Sequence, residues 1–97
     1  MVDQLVSLKE FCGYHNVEYT FVYSLCESDL VSYTTISGEI YVKPDYVGLL
    51  EKMVRIHLDL GINSEGVEAI IHLLKKIDDL ESELKLLHNK IDFYENE

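Results

Sequence analysis

Residues 70–94 read IIHLLKKIDDLESELKLLHNKIDFY, and this stretch decides the fold of the chain. Its apolar residues recur at alternating steps of three and four, which is an a/d heptad pattern without Gly or Pro. A helix with one narrow apolar seam needs a partner in water, so the pattern predicts a long C-terminal coiled-coil helix. The a positions are Ile70, Ile77, Leu84 and Ile91, and the d positions are Leu73, Leu80, Leu87 and Tyr94.

The lower part of this seam is the predicted dimerisation surface. Charges beside it fit either direction of pairing: Lys76 meets Glu81 of a second copy in a parallel pair, and Glu83 meets Lys90 in one antiparallel register. Such pairs contribute only tenths of a kcal/mol each, so the seam dominates. The predicted dimer contacts are Ile77, Leu80, Leu84, Leu87, Ile91 and Tyr94.

The length and charge bound the function. The chain has 97 residues and a formal net charge of −10, with 18 acidic against 8 basic residues. This length predicts one domain with an appended helix. An acidic surface repels phosphate backbones and favours a basic protein partner, although solubility alone explains the charge equally well.

The two cysteines and the hydropathy point to a reducing compartment. Cys12 and Cys26 are not spaced as a CxxC pair and lie among apolar residues, so we expect buried, reduced thiols. The first residues, MVDQLVSLKE, do not have the pattern of a signal peptide, and no stretch approaches the roughly 20 apolar residues of a membrane span. We therefore expect a cytoplasmic protein without membrane contact.

The first half of the chain predicts two helices. Ser7 followed by Glu10 is a capping box that starts a short helix, which ends near Asn16. Residues 19–28 combine strand propensity with apolar residues four apart, and the spacing favours a second helix.

A wing and two further helices follow. Residues 31–36 and 39–42 are β-rich arms around Ser37-Gly38, which predicts a hairpin. Pro44 and Asp45 open a third helix that stops at Gly61, and Asn63 caps the last helix. The predicted fold is mainly α with a small β-hairpin: a winged helix-turn-helix domain over residues 1–62, then a long coiled-coil helix over residues 63–97.

This order of elements resembles the MerR-like winged helix-turn-helix domain, whose DNA-binding members carry a basic second helix and wing. That resemblance implies antiparallel pairing of the last helices. Here residues 10–42 contain no Lys or Arg, which departs from the DNA-binding pattern. A DNA-binding transcriptional regulator is therefore the alternative rather than the first interpretation, and a coiled-coil dimerisation adaptor is the third.

Within that layout, four segments carry a closer resemblance: Arg55-Ile56-His57 with Leu60, the restart Ile62-Asn63 with Gly66-Val67, the leucine-rich tail, and residues 8–12, LKEFC, in the first helix. The resemblance is to the chaperone-modulator CbpM family. It implies a non-enzymatic inhibitor that binds the J-domain of a DnaJ-like co-chaperone. Because such J-domains present a basic helix, an acidic partner surface is electrostatically complementary to them.

No catalytic or metal-binding motif stands out from the sequence. The four histidines are scattered, and only Glu68 with His72 has a liganding i, i+4 spacing, which is short of a zinc site. We expect no enzyme activity, metal or cofactor. The second helix is the element that this architecture exposes, and tyrosine is favoured at interfaces. The predicted partner-binding residues are Glu18, Tyr19, Tyr23, Glu27 and Asp29.

Overall fold

The computed structural model describes residues 4–95, with side chains through Phe93. Five helical segments and three short strands make up this part of the chain. In order they are β1 (Val6–Ser7), α1 (Leu8–His15), α2 (Tyr19–Cys26), β2 (Tyr33–Ile36), β3 (Glu39–Val42), a 3₁₀ turn (Pro44–Tyr46), α3 (Val47–Leu60) and α4 (Ser64–Glu95). The predicted fold class, mainly α with a small β element and a long C-terminal helix, is confirmed.

The wing is a three-stranded antiparallel sheet in the order β1-β3-β2. Its hairpin turns at Ser37 and Gly38, where φ is 52° and 81°, as the sequence predicts. The prediction of two strands alone was incomplete, since Val6 pairs with Val42 on the other edge of β3. A strand of two residues has no alternation of its own, so only its distant partner reveals it.

The two N-terminal helices begin and end on short polar signals. The Ser7 hydroxyl accepts the Glu10 N–H at 3.3 Å, and α1 ends at Asn16 in the left-handed conformation. Helix α2 is helical despite its strand propensity, but it ends at Cys26 rather than at the predicted Ser28. The Ser28 hydroxyl donates to the Leu25 carbonyl at 2.6 Å. This side-chain hydrogen bond occupies a carbonyl that a further helical turn would use, so the helix ends here.

The third helix starts later than predicted. Pro44 opens a 3₁₀ turn, and α-helical geometry begins only at Val47. The helix ends at Gly61, which is left-handed with φ 67° and donates its N–H to the His57 carbonyl at 2.8 Å. The Asn63 side chain then accepts the Gly66 N–H at 2.8 Å, which confirms the predicted cap of α4.

The hydrophobic core lies between α1, α2, α3, the sheet and the start of α4. Helix α4 adds Val67 and Ile71 to this core, and from His72 to Phe93 every described side chain is exposed. We call residues 4–71 the head and residues 72–95 the stalk. At 1.5 Å per residue, the 32 residues of α4 span about 48 Å, so the stalk projects from the head.

Candidate functional site

Helix α2 exposes an aromatic face toward the wing. The Tyr19 and Tyr23 rings lie one turn apart and nearly parallel, with centroids 6.1 Å apart and an interplanar angle of 10°. Tyr33 of β2 faces the same space, and Tyr19 and Tyr33 are 41% and 42% exposed. A groove of about 370 Å³ runs between helix and hairpin, which we call the tyrosine groove; it is lined by Tyr19, Tyr23, Tyr33, Thr35, Gly38 and Ile40.

The hairpin register places the wing side of this groove. Tyr33 pairs with Val42 and Thr35 pairs with Ile40, so these four side chains project from one face of the sheet. Val42 and Ile40 are buried, so this is the inner face of the sheet, and its Tyr33, Thr35 and Ile40 side chains line the groove beside α2. Tyr33, Thr35 and Ile40 were not among the predicted site residues. The Ser37-Gly38 turn was the signal for them, because it fixes the register and hence the face.

The predicted partner-binding residues fall into three places. Tyr19 and Tyr23 line the tyrosine groove, and Glu27 follows at the C-cap of α2. Glu18 is the N-cap residue and borders a separate depression near His57. Asp29 lies beside the stalk, with its carboxylate 3.3 Å from Nε2 of His72.

The lining of the groove itself holds no charged side chain, and the charges lie around it. Residues 10–42 hold five carboxylates and no Lys or Arg. Lys9, just before them, lies with Glu39 in an adjoining depression that shares Tyr19, Gly38 and Ile40 with the groove. Partial desolvation, followed by the nearby Cys12, Tyr23, Cys26 and Glu39, raises the pKa of the Tyr19 phenol.

Both cysteines are free and buried, as the sequence predicts. Burial raises the pKa of the Cys26 thiol to about 11, with a smaller contribution from Cys12. Burial also raises the pKa of Cys12. Protonated, buried thiols are poor nucleophiles, so the two cysteines act as core residues.

The histidines of the head have structural partners. The His57 ring stacks on Phe21 with centroids 3.8 Å apart, and its Nδ1 donates to the Ile62 carbonyl at 2.6 Å. His57 thereby joins α2 to the turn between α3 and α4. His15 lies 3.3 Å from the Glu51 carboxylate. Among residues 4–95, no three His, Cys, Asp or Glu side chains come together in a metal-binding arrangement.

The stalk carries the predicted dimer seam unpaired. Five of its six residues, Ile77, Leu80, Leu84, Leu87 and Ile91, are each more than half exposed. The sixth, Tyr94, lies outside the described side chains. Leu86 and Phe93 form a second exposed apolar pair, seven residues apart and off the seam, which the heptad analysis did not include.

A second groove joins the head to the seam. Its volume is about 580 Å³, and Ile77 belongs to both the groove and the seam. The apolar part of its lining is Leu30, Leu49, Ile71, Leu74 and Ile77. The apolar surface of the stalk is therefore continuous with an apolar strip on the head. In the described part of the chain, no helix is long and apolar enough to span a membrane.

Comparison with known proteins identifies the family. A search of curated proteins and a search of solved structures each found no match to the chain. A family model described as "MerR HTH family regulatory protein" matches residues 6–89, which include the whole sheet, helices α1 to α3 and most of α4. By the extent of this match, together with its helix-turn-helix head, wing and long C-terminal helix, the chain belongs to the MerR HTH family of regulatory proteins.

Proposed function

We propose that this regulator acts without enzymatic activity, by binding the J-domain of a DnaJ-like co-chaperone and restraining it. One observation carries the proposal: residues 10–42, which form α2 and most of the wing, contain no Lys or Arg. In a DNA-binding member these elements supply cations to phosphates and donors to base edges. The resemblance to the chaperone-modulator CbpM family supports the J-domain, with its basic helix, as the partner.

The proposed contact surface is acidic and aromatic. Glu18 and Glu27 cap the two ends of α2, and the tyrosine groove lies along the same helix. Complementary charge at a rim accelerates association, while desolvated aromatic residues supply most of the affinity. We therefore expect carboxylates to govern the salt dependence of binding.

Titration of the full chain with a purified J-domain tests the proposal. Charge reversal of Glu18 and Glu27 to Lys is expected to weaken binding at least tenfold at low salt. The matched control reverses Asp45 and Asp59, two exposed acids on the α3 side of the head, by the same total charge. Equal affinity of the two double variants, or no binding by the unaltered chain, would contradict the proposal.

DNA binding is the second candidate, because the matched family is one of helix-turn-helix regulatory proteins. A MerR-type transcriptional regulator would bind a specific duplex with an affinity that falls steeply as salt rises. Titration of labelled duplexes across a salt series separates the two functions. Site-specific, salt-sensitive binding would replace the J-domain proposal.

We also propose that the chain is a homodimer through its stalk. The exposed seam from Ile77 to Ile91 supports this, since a solvated apolar seam of that length favours pairing. Leu84→Lys places a charge in the seam and is expected to give a monomer by analytical ultracentrifugation. Ser82→Lys adds the same charge on the opposite face and should leave the dimer intact. A wild-type monomer at micromolar concentration would refute the dimer.

A further inference from the structure

The tyrosine groove has the chemistry of a site for a cationic side chain. Three phenol rings converge on it from α2 and from β2, and two of them are more than 40% exposed. Aromatic faces attract guanidinium and ammonium groups because the ring quadrupole is negative above the plane. The Tyr19 and Tyr23 rings, nearly parallel and one helical turn apart, offer such faces side by side.

Charge distinguishes the two ends of the groove. Lys9 and Glu39 line only the depression at the Tyr19 end, where their opposite charges offset each other. At the other end, Tyr23 and Tyr33 both line the groove without a cation in the lining, and Glu27 follows Tyr23 by one turn. A positively charged side chain is therefore favoured at the Tyr23–Tyr33 end.

We propose that the tyrosine groove docks a basic helix of the partner, with one arginine or lysine side chain of that helix inserted between Tyr23 and Tyr33. The open groove of about 370 Å³ accommodates such a side chain against Ile40, whose apolar side chain contacts the aliphatic stem. This inference rests on the proposed function, since it assigns the site at which the J-domain is recognised.

Ring-removing substitutions test the site. Tyr33→Leu removes an exposed ring from the proposed cation site and is expected to weaken J-domain binding roughly 3- to 30-fold, whereas Tyr19→Leu, at the other end of the groove, should weaken it less. Tyr19→Phe and Tyr33→Phe keep the aromatic face and should bind within about twofold of the unaltered chain, as expected for a cation–π contact. Tyr14→Leu is the matched control, because Tyr14 is 85% exposed on α1 and does not line the groove. Circular dichroism checks that every variant is folded.

Salt dependence separates rings from carboxylates. Glu27→Gln should flatten the dependence of affinity on salt, because it removes a charge from the rim. The Tyr→Leu variants should weaken binding at every salt concentration and keep the original slope. Leucine variants that bind the J-domain like the unaltered chain would overturn the groove assignment and leave the proposed function standing.

A second probe makes the two failures distinguishable. The full chain is titrated with a helical peptide made of Ala, Lys and Arg and acetylated only at its N-terminus. The tyrosine ring resonances are followed by NMR. Shifts confined to Tyr19, Tyr23 and Tyr33 support the groove as a site for a basic helix. If those shifts occur while the J-domain fails to bind, the choice of partner is wrong and the site stands. Unchanged ring resonances would overturn the site.

Discussion

Replacing Gly66 by alanine tests how the stalk is joined to the head. Gly66 is the third residue of α4, and an added Cβ would lie 2.5 Å from Cγ2 of Ile62 and 3.3 Å from Oδ1 of Asn63. Favourable carbon contacts are about 3.5–4.0 Å, so the Ile62 methyl group must retreat by about 1 Å. Cγ2 of Ile62 cannot move freely, because it is attached to the branched Cβ and the side chain is packed against the core, which restricts rotation about χ1.

Two opposing terms set the magnitude. Overpacking costs about 1–3 kcal/mol. Alanine is favoured over glycine inside a helix by about 1 kcal/mol, and by less in its first turn. We therefore expect Gly66→Ala to lower the free energy of unfolding by about 1 kcal/mol. In an Ile62→Ala background the obstructing methyl is gone, so the same substitution should raise it by about 0.5 kcal/mol.

These effects form a double-mutant cycle of the unaltered chain, Gly66→Ala, Ile62→Ala and the double variant. Urea unfolding of the four proteins, followed by circular dichroism, measures it. All four are compared at one protein concentration, since dimerisation adds a concentration-dependent term to the stability. The expected coupling energy is about 1.5 kcal/mol, with a change of sign between the two backgrounds. Additive effects, or stabilisation by Gly66→Ala in the unaltered chain, would show that Ile62 and Gly66 are not in close contact.

Three further predictions concern the head. His57→Ala removes the ring stack and the hydrogen bond to the α3–α4 turn, so it should lower the urea-derived free energy of unfolding by about 1–3 kcal/mol. The control His88→Ala on the stalk should change it by under about 0.5 kcal/mol. Equal losses in the two variants would contradict the structural role of His57. The raised pKa of Cys26, about 11 against 9.0 in the unfolded chain, stabilises the fold fully below pH 9, and this contribution is lost as pH rises toward 11. Cys26→Ala should therefore show a shallower fall in stability over that window, and parallel curves would argue against a buried neutral thiol. Ser37→Asn should stabilise by a few tenths of a kcal/mol, because asparagine tolerates the left-handed φ of 52° better than serine does; a lower thermal midpoint would contradict that turn geometry.

The family of this chain includes DNA-binding proteins, whereas its acidic charge disfavours DNA binding. The structure explains how the fold and the charge are compatible. The winged fold depends on buried residues such as Leu8, Leu25 and Leu50, which are indifferent to surface charge. DNA binding depends on the exposed faces of α2 and the wing, where this chain carries tyrosine and glutamate. The fold of the family is therefore retained on a surface of opposite electrostatic character, and function must be argued from that surface.

Local sequence patterns predicted most of the elements. The helix caps at Ser7 and Asn63 and the helix end at Gly61 depend on residues within one turn, and the heptads of the stalk repeat without interruption. Neighbouring residues are therefore enough to predict these elements. The turn at Ser37-Gly38 also fixed the hairpin register. The helical state of α2 followed from its four-residue apolar spacing, because the burial of that face outweighs strand propensity.

Only the tertiary structure decided which distant residues share a site. Val6 became a strand because Val42 lies beside it, and Asp29 lies with His72 rather than with Tyr19 because the chain turns toward the stalk after α2. Tyr33 shares a groove with Tyr19 and Tyr23 because α1 packs against both β3 and α2, at a sequence separation that no local pattern spans. The sequence alone determined that the chain forms an acidic helix-turn-helix domain and a helix whose apolar seam needs a partner. Packing determined the groove. Local periodicity predicts which face of a helix or strand is buried, but it does not predict which distant face that one packs against.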